Sequence, residues 1–376
     1  MNKLIIAPDS FKGSLPAVRV CDIIESAARR HFPQLAVTRM PVSDGGEGLV
    51  DALLFGAKGE RVTVQVSDPL MREIQASYGI LSTGEAVIEM AAASGLPLLA
   101  AGKRNPMYTT TYGTGQLILD ALDRGCRKII LGFGGSATND GGAGLAAALG
   151  IRFLDKDDQP VLNGDNLSRV VRIDAQTMAH GLSSCRISIA CDIANPLYGP
   201  QGAAHVFGPQ KGATPEQVTR LDGGLRILAE LIHRQTGINM QEIPGAGAAG
   251  GAPVPLIAFA NAQLVSGIEL VLDRLDFDKD LETCDLVITG EGQTDAQSTM
   301  GKVVCGVGRR AKAAGVPVVV ISGSLRAGYE GLYDEGITAV FSAVRGVCTL
   351  EQALVNAEEN LRRSAEDIFR LIKASR

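Results

Sequence analysis

The segment KIILGFGGSATNDGGAG (residues 128–144) shows the pattern of strand and loop from which the fold is predicted. It joins an apolar run typical of a strand, 128–133, to a loop with six glycines in the thirteen positions 132–144. Fixing a glycine in a regular element costs roughly 0.5–1 kcal/mol more than fixing an alanine, so this cluster indicates a tight turn or a close approach to the backbone. The loop also carries four polar side chains: Ser136, Thr138, Asn139 and Asp140.

The same order of strand, loop and helix recurs along the chain. Apolar periodicity predicts strands at 3–8, 35–42, 128–133, 284–290, 316–323 and 337–343. Helices are predicted at 18–32, 115–125, 302–315 and 351–373, and a long one from about Pro215 to His233. A hairpin is expected at 62–81, where the alternation turns at Asp68 and Pro69. Alternating strands and helices are typical of α/β proteins with a parallel sheet.

The length of the chain predicts two domains, because 376 residues exceed what one core usually supports. The expected fold class is α/β, with a doubly wound, Rossmann- or flavodoxin-like parallel sheet built from both ends of the chain. A smaller, mixed α/β domain is expected to interrupt it. The first domain is predicted at 1–60, 95–135 and 284–376, and the inserted domain at 61–94 and 136–283.

Composition excludes several classes of function. Lys and Arg number 36 against 41 Asp and Glu, and aromatic residues make up 4%, which argues against a nucleic-acid partner. No window approaches the roughly 20 apolar residues of a membrane span, and the first apolar run is too short for a signal peptide, so a cytoplasmic protein without a membrane partner is expected. Seven scattered cysteines include no C-x-x-C pair, which argues against a zinc site. Monomer and homo-oligomer both stay open.

Five loops place acids, amides and glycines directly after predicted strands. They are APDSFKGS (7–14), PVSDGGEG (41–48), GGSATNDGG (134–142), CDIANPLYG (191–199) and TGEGQTDAQS (289–298). Ligands of open α/β sheets bind at this edge, and exposed backbone N–H groups bind anions. Carboxylates together with phosphate oxygens are the ligands of Mg²⁺. A single aspartate after a strand most often caps a helix or forms a turn, but five such loops together indicate phosphoryl transfer.

A second motif points to a different chemistry. GAGAAG (245–250) matches the glycine pattern of dinucleotide-binding folds, and Glu269 follows at nearly the expected spacing. However, NMQEIP before it is not a convincing strand, which favours a packed glycine-rich loop or hinge over a nicotinamide site. No Walker A motif is present, because Gly301 and Lys302 lack the earlier glycine.

Taken together, these segments resemble the type I glycerate kinases over nearly the whole chain. Besides the five loops, the resemblance includes IEMAAASGL (88–96), GTG (113–115), FGPQKGA (207–213), PGAGAAGG (244–251) and SGIELVLD (266–273). It implies ATP-dependent phosphorylation of D-glycerate with Mg²⁺, giving 2-phosphoglycerate, in a two-domain protein whose site lies in the interdomain cleft. Gln293 stands where the family usually has arginine, and Ala252-Pro253-Val254-Pro255 replaces its small residues.

The resemblance also implies a set of catalytic residues. The catalytic candidates are Asp192, Asp295, Asp44 and Lys12. Asp192 is the first candidate for the base that accepts the hydroxyl proton, because it ends a predicted strand and is followed by Asn195. Asp295 and Asp44 are its rivals. Lys12, together with Lys211, is expected to neutralise charge on phosphate or substrate.

The remaining candidates bind substrate, nucleotide or metal. Residues expected to bind substrate or nucleotide are Asp9, Ser10, Gly45, Gly46, Glu47, Ser136, Thr138, Asn139, Asn195, Lys211 and Glu291. Asp140 and Asp295 are the candidates for Mg²⁺ ligands, and Asp140 is alternatively a cap for the following helix. Alternative functions are phosphorylation at the 3-hydroxyl, a nicotinamide-dependent hydroxy-acid oxidoreductase, and a non-enzymatic protein that binds a small acid.

Overall fold

The computed structural model describes residues 1–299 and 301–375. Its strands, in chain order, are β1 (Lys3–Ile6), β2 (Ala36–Arg39), β3 (Gly59–Ser67), β4 (Glu73–Leu81), β5 (Ala86–Glu89), β6 (Lys128–Gly132), β7 (Arg152–Leu154), β8 (Arg172–Asp174), β9 (Arg186–Ala190), β10 (Gln263–Val265), β11 (Leu286–Thr289), β12 (Gln293–Thr294), β13 (Val318–Ser322), β14 (Ser324–Leu325) and β15 (Ala339–Ser342).

The α-helices lie mostly between these strands. In chain order they are α1 (Ala17–His31), α2 (Leu49–Ala57), α3 (Ala91–Ser94), α4 (Tyr112–Asp123), α5 (Ala143–Ala148), α6 (Ala203–Phe207), α7 (Pro215–Thr236), α8 (Val254–Ala260), α9 (Gly267–Arg274), α10 (Phe277–Leu281), α11 (Val303–Ala313), α12 (Leu350–Val355) and α13 (Ala357–Ala374). The helix predicted at 351–373 is thus two helices that meet at Asn356. None of the described helices is both long and apolar enough to span a bilayer.

The chain forms two compact units, one of which interrupts the other. Unit 1 comprises residues 1–44, 51–58 and 266–376, and unit 2 comprises 45–50 and 59–265. Both chain ends belong to unit 1, but the inserted unit is the larger of the two, not the smaller one expected.

Two predicted boundaries need correction. Residues 95–135 were expected with the chain ends, yet they lie in unit 2, because β6 pairs with β5 and β9 there. Residues 266–283, expected in the inserted domain, lie in unit 1.

Unit 1 contains a parallel sheet of five strands in the order β15-β13-β11-β1-β2. Numbered within the unit, this is the flavodoxin-like order 2-1-3-4-5, so the predicted doubly wound sheet is confirmed. Leu4 and Ile6 of β1 pack into a core with α1 and α13, where Phe32 meets Phe369 edge to face. Ile5 lies outside that core, and α11 packs against β11 and β13, so helices cover both faces of the sheet.

Unit 2 contains a mixed sheet of six strands in the order β10-β9-β6-β5-β4-β3. Its first four strands are parallel, whereas β4 runs antiparallel to both of its neighbours, β5 and β3. The hairpin predicted around Asp68 joins β3 to β4, and the Asp68 carboxylate accepts hydrogen bonds from the backbone N–H groups of Leu70 and Arg72. The loops after β6 and β9 leave the carboxyl edge of this sheet.

Candidate functional site

In unit 1, the loops that follow β1 and β11 meet at the point where the strand order reverses. The backbone N–H of Asp9 donates to the carbonyl of Gly290 at 2.8 Å, and the hydroxyl of Thr289 donates to the carbonyl of Ala7 at 2.7 Å. Open α/β sheets bind ligands in the crevice outside this switch point. The fold therefore brings the predicted residues of APDSFKGS and TGEGQTDAQS together at a binding position.

Three acidic residues at this edge form what we call the carboxylate cluster: Asp9, Asp44 and Glu291. Burial first, and then the negative charges of Asp44 and Glu291, hold the pKa of Asp9 well above its usual value, although the N–H of Ser10 bonds to Asp9 Oδ1 at 2.6 Å. Burial also raises the pKa of Glu291. The three side chains thus concentrate negative charge that a bound cation would relieve.

Glu291 is fixed in place by hydroxyl groups. Its Oε1 accepts hydrogen bonds from the hydroxyl of Thr294 at 2.9 Å and from that of Ser298 at 2.6 Å. The hydroxyls of Thr294 and Ser322 also bond to each other. The sequence prediction missed these supporting residues. Thr294 and Ser298 stand inside TGEGQTDAQS, whereas only the end of β13 could have pointed to Ser322.

Asp295 lies beside the cluster, and protein donors hold it. Its Oδ2 accepts a hydrogen bond from the side-chain amide of Gln293 at 3.0 Å, and its Oδ1 accepts one from the N–H of Gln297 at 2.9 Å. Gln293, which departs from the family pattern, therefore positions Asp295. Lys12 is exposed two residues beyond Ser10.

In unit 2, glycines of the quoted segment allow two loops to touch. A Cβ on Gly132 would lie 2.4 Å from the carbonyl oxygen of Gly45, and one on Gly134 would lie 2.6 Å from the Cα of Gly46. A Cβ on Gly45 would lie 2.5 Å from that of Ala190, the last residue of β9. The segment at Gly45 and Gly46 thus lies across the ends of β6 and β9. Close backbone packing is one of the two explanations that the glycine cluster allowed.

Lys211 is the buried cation of unit 2. Its ammonium group donates to the hydroxyl of Ser136 at 2.8 Å and to the carbonyl of Thr138 at 2.7 Å. Burial lowers the pKa of Lys211 to about 7, an effect that the charge of Asp140 partly opposes. Lys211, Ser136 and Thr138, all predicted as binding residues, therefore lie together.

Asp140 is bound to protein groups on both carboxylate oxygens. Oδ2 accepts from the N–H and the hydroxyl of Thr111, each at 2.8 Å, and from the N–H of Gly144 at 3.2 Å. Oδ1 accepts from the N–H of Gly142 at 3.1 Å. These are the bonds of a cap at the start of α4 and α5, so the geometry favours the capping alternative over a metal ligand. The N–H groups of Gly142 and Gly144 therefore donate to the Asp140 side chain and not to a bound ligand.

Asn139 and the motif GAGAAG pack against each other. Asn139 is fully buried, and no described residue pairs with its side-chain amide. A Cβ on Gly250 would lie 2.4 Å from the Cα of Asn139. The backbone N–H of Gly141 donates a hydrogen bond to the carbonyl oxygen of Gly250 at 2.9 Å. In the described chain a short 3₁₀ turn and not a strand precedes the motif, at 240–242, so GAGAAG is a packed loop.

The other departure from the family pattern begins a helix. Pro253 is the N-cap of α8, and Pro255 contacts Gly142, where a Cβ would lie 2.6 Å from the proline ring. The prolines therefore stiffen the wall behind the glycine loop.

The remaining candidates are Asp192 and Asn195, which follow β9, and Glu47, which follows β2 in the chain. Asp192 is half-buried two residues after β9, and the Asn195 amide donates to the carbonyl of Gln201 at 2.9 Å. Glu47 is exposed. Within the described residues, no group of three Asp, Glu, His or Cys side chains is placed to hold a metal ion alone. Magnesium requires only one or two carboxylates when phosphate oxygens and waters complete its shell, so a site of that kind does not need a group of three.

Comparison with known proteins identifies relatives over the full length. The model of the glycerate kinase family matches residues 4–373. A glycerate kinase of Halalkalibacterium halodurans is 46% identical over 98% of this chain and 97% of its own. A glycerate 2-kinase of Escherichia coli K12 is 44% identical over 97% of both chains. A crystal structure described as a glycerate kinase 2 of Salmonella typhimurium LT2 superposes with a TM-score of 0.88 at 45% identity, covering 100% of this chain and 99% of that one.

Proposed function

Because the chain belongs to the glycerate kinase family, we propose that it transfers the γ-phosphoryl group of ATP to the 2-hydroxyl of D-glycerate. The products are ADP and 2-phosphoglycerate. The carboxylate cluster at the switch point of the unit 1 sheet carries the proposal, since phosphoryl transfer depends mainly on positioning and on neutralising phosphate charge. The name of the Escherichia coli relative, a glycerate 2-kinase, supports the choice of hydroxyl.

Unit 1 is proposed to hold the nucleotide phosphates. Asp9 and Glu291 lie at the ends of adjacent strands, and Asp44 adds a third negative charge. These carboxylates would hold Mg²⁺, which neutralises charge on the phosphates when bound. Lys12 is exposed on the same loop as Asp9 and is placed to pair with a phosphate oxygen.

Unit 2 is proposed to hold the hydroxy acid. Lys211 offers a buried ammonium group that donates to Ser136 of the loop after β6, and a buried cation pairs strongly with a carboxylate. Asn139 adds a buried amide that can both donate and accept. Binding of an acid here favours the charged form of Lys211, whose pKa is about 7 in the unliganded chain.

Asp192 is proposed to accept the proton of the attacking hydroxyl. Among the three candidates, Asp295 is engaged by Gln293 and Gln297, and Asp44 belongs to the carboxylate cluster. Asp192 follows β9, whose last residue is packed against Gly45. It is therefore the candidate on the unit that is proposed to bind the hydroxy acid.

The proposal is tested by ADP release with D-glycerate, ATP and Mg²⁺. Turnover that requires D-glycerate is expected. Asp192→Asn should lower kcat by about 10²-fold or more, since a positioned general base contributes 10²–10⁴-fold. Asp157→Asn, at an exposed loop residue, is the matched control and should leave kcat unchanged. Absence of glycerate-dependent ADP release refutes the function, and wild-type kcat in Asp192→Asn removes that residue from the role of base.

A further inference from the structure

A concavity of about 460 Å³, open to solvent, lies at the carboxyl edge of the unit 1 sheet. We call it the edge pocket. Its walls come from the loops after β1, β11, β13 and β15 and from helices α12 and α13. They include Phe11, Lys12, Gly292, Gly323, Leu350 and Leu354.

The edge pocket adjoins the carboxylate cluster through shared loops. Glu291 belongs to the cluster, and the next residue, Gly292, lines the pocket. Ser322 bonds to Thr294, which holds Glu291, and the following Gly323 lines the pocket. Consecutive Cα atoms are about 3.8 Å apart, so the pocket wall begins within one or two residues of the cluster.

The walls of the pocket are mainly apolar. Leu350 and Leu354 on α12 are 75% and 38% exposed, and both line the pocket. The glycines make a close-packed floor, because a Cβ on Gly323 would lie 2.4 Å from the carbonyl oxygen of Gly292. Asn360 is the polar side chain on α13 that lines the pocket, and it can both donate and accept a hydrogen bond.

We propose that the edge pocket binds the adenine base of ATP, an inference that rests on the proposed function. A purine has two apolar faces and a polar edge, which match the leucine walls and the amide of Asn360. The sugar then leads past Lys12 to phosphates at the carboxylate cluster. A small hydroxy acid is polar on every side and gains nothing from apolar walls, so the pocket assigns the nucleotide, and not glycerate, to unit 1.

Photolabelling tests the location directly. The full chain is irradiated with 8-azido-ATP and Mg²⁺, digested, and mapped by mass spectrometry, with unmodified ATP as competitor. Labels that ATP suppresses are expected on segments 11–14, 343–344 or 350–360. ATP-suppressible labels confined to unit 2 overturn the inference, even if the chain turns over glycerate. Failure of turnover itself would instead refute the proposed function.

A pair of variants on α12 gives a second test. Ala353→Phe fills the pocket, whereas Val355→Phe, at a residue 78% exposed on the same helix and outside the lining, is the matched control. Ala353→Phe should raise the KM for ATP at least tenfold and leave the KM for D-glycerate unchanged, with a circular dichroism spectrum like that of the wild type. Equal KM values for ATP in both variants contradict the proposal. A rise in the KM for glycerate alone contradicts it as well.

Discussion

Replacing Lys211 by methionine should remove a pH dependence from the stability of the protein. Burial lowers the pKa of Lys211 to about 7 in the folded chain, whereas an unfolded lysine has a pKa of about 10.4. Between these values the unfolded chain holds more protons, so folding is favoured as the pH rises; below the folded pKa both states are charged and the dependence disappears. From pH 6 to pH 8 the lysine should therefore add about 1–2 kcal/mol of stability.

The assay is urea unfolding at pH 6, 7 and 8, followed by circular dichroism, for the wild type and Lys211→Met. The loss of bonds to Ser136 and Thr138 shifts the stability of the variant at every pH, so the difference between pH values isolates the titration. Lys156→Met, at an exposed residue, is the matched control and should keep the wild-type profile. If Lys211→Met keeps that profile too, the buried ammonium group does not titrate between pH 6 and pH 8, contrary to the prediction.

Three further substitutions test the rest of the site. Asp9→Asn relieves repulsion within the carboxylate cluster, so it should raise the melting temperature by ~2–4 °C in metal-free buffer. The same variant should lower kcat/KM by about 10²-fold. A lower melting temperature would contradict the prediction. Asp140→Ala leaves four buried hydrogen-bond donors unpaired, so urea unfolding should show a free energy of unfolding lower by about 3 kcal/mol or more. Unchanged stability together with weaker Mg²⁺ binding would instead support Asp140 as a metal ligand. Gly45→Ala places a Cβ 2.5 Å from that of Ala190 at a φ of +91°, so it should lower the free energy of unfolding by about 2–4 kcal/mol. Gly13→Ala, where φ is +80° and no atom lies within 4 Å of the added Cβ, is the control and should cost about 1–2 kcal/mol. Equal losses of stability in the two variants would show that the contact with Ala190 carries no cost.

The fold class was predictable because strand patterns and turn signals are local. The runs around Ile5, Ile130 and Val287 each form the expected strand. The strand order was not predictable, since the pairing of Ile5 with Val287 joins distant parts of the chain. For the same reason, residues 95–135 were assigned to the wrong unit: a helix followed by a strand has the same pattern whichever sheet the strand enters.

The sequence allowed the loops of the candidate site to be predicted, but not what each side chain in those loops does. A carboxylate after a strand can bind a cation or cap a helix, and the capping role of Asp140 depends on Thr111, which belongs to another segment. The burial of Lys211 likewise depends on Ser136 and Thr138. Such roles come from tertiary contacts, which a single sequence does not encode at any fixed spacing.

Transfer of phosphate from ATP to the 2-hydroxyl of D-glycerate can be followed by ³¹P NMR of the reaction mixture. Purified protein is incubated with ATP, Mg²⁺ and D-glycerate, and the new phosphomonoester signal is compared with authentic 2- and 3-phosphoglycerate. We expect a signal that coincides with 2-phosphoglycerate and grows as ATP is converted to ADP. A signal that coincides with 3-phosphoglycerate, or ADP formation without any phosphoglycerate, would contradict it.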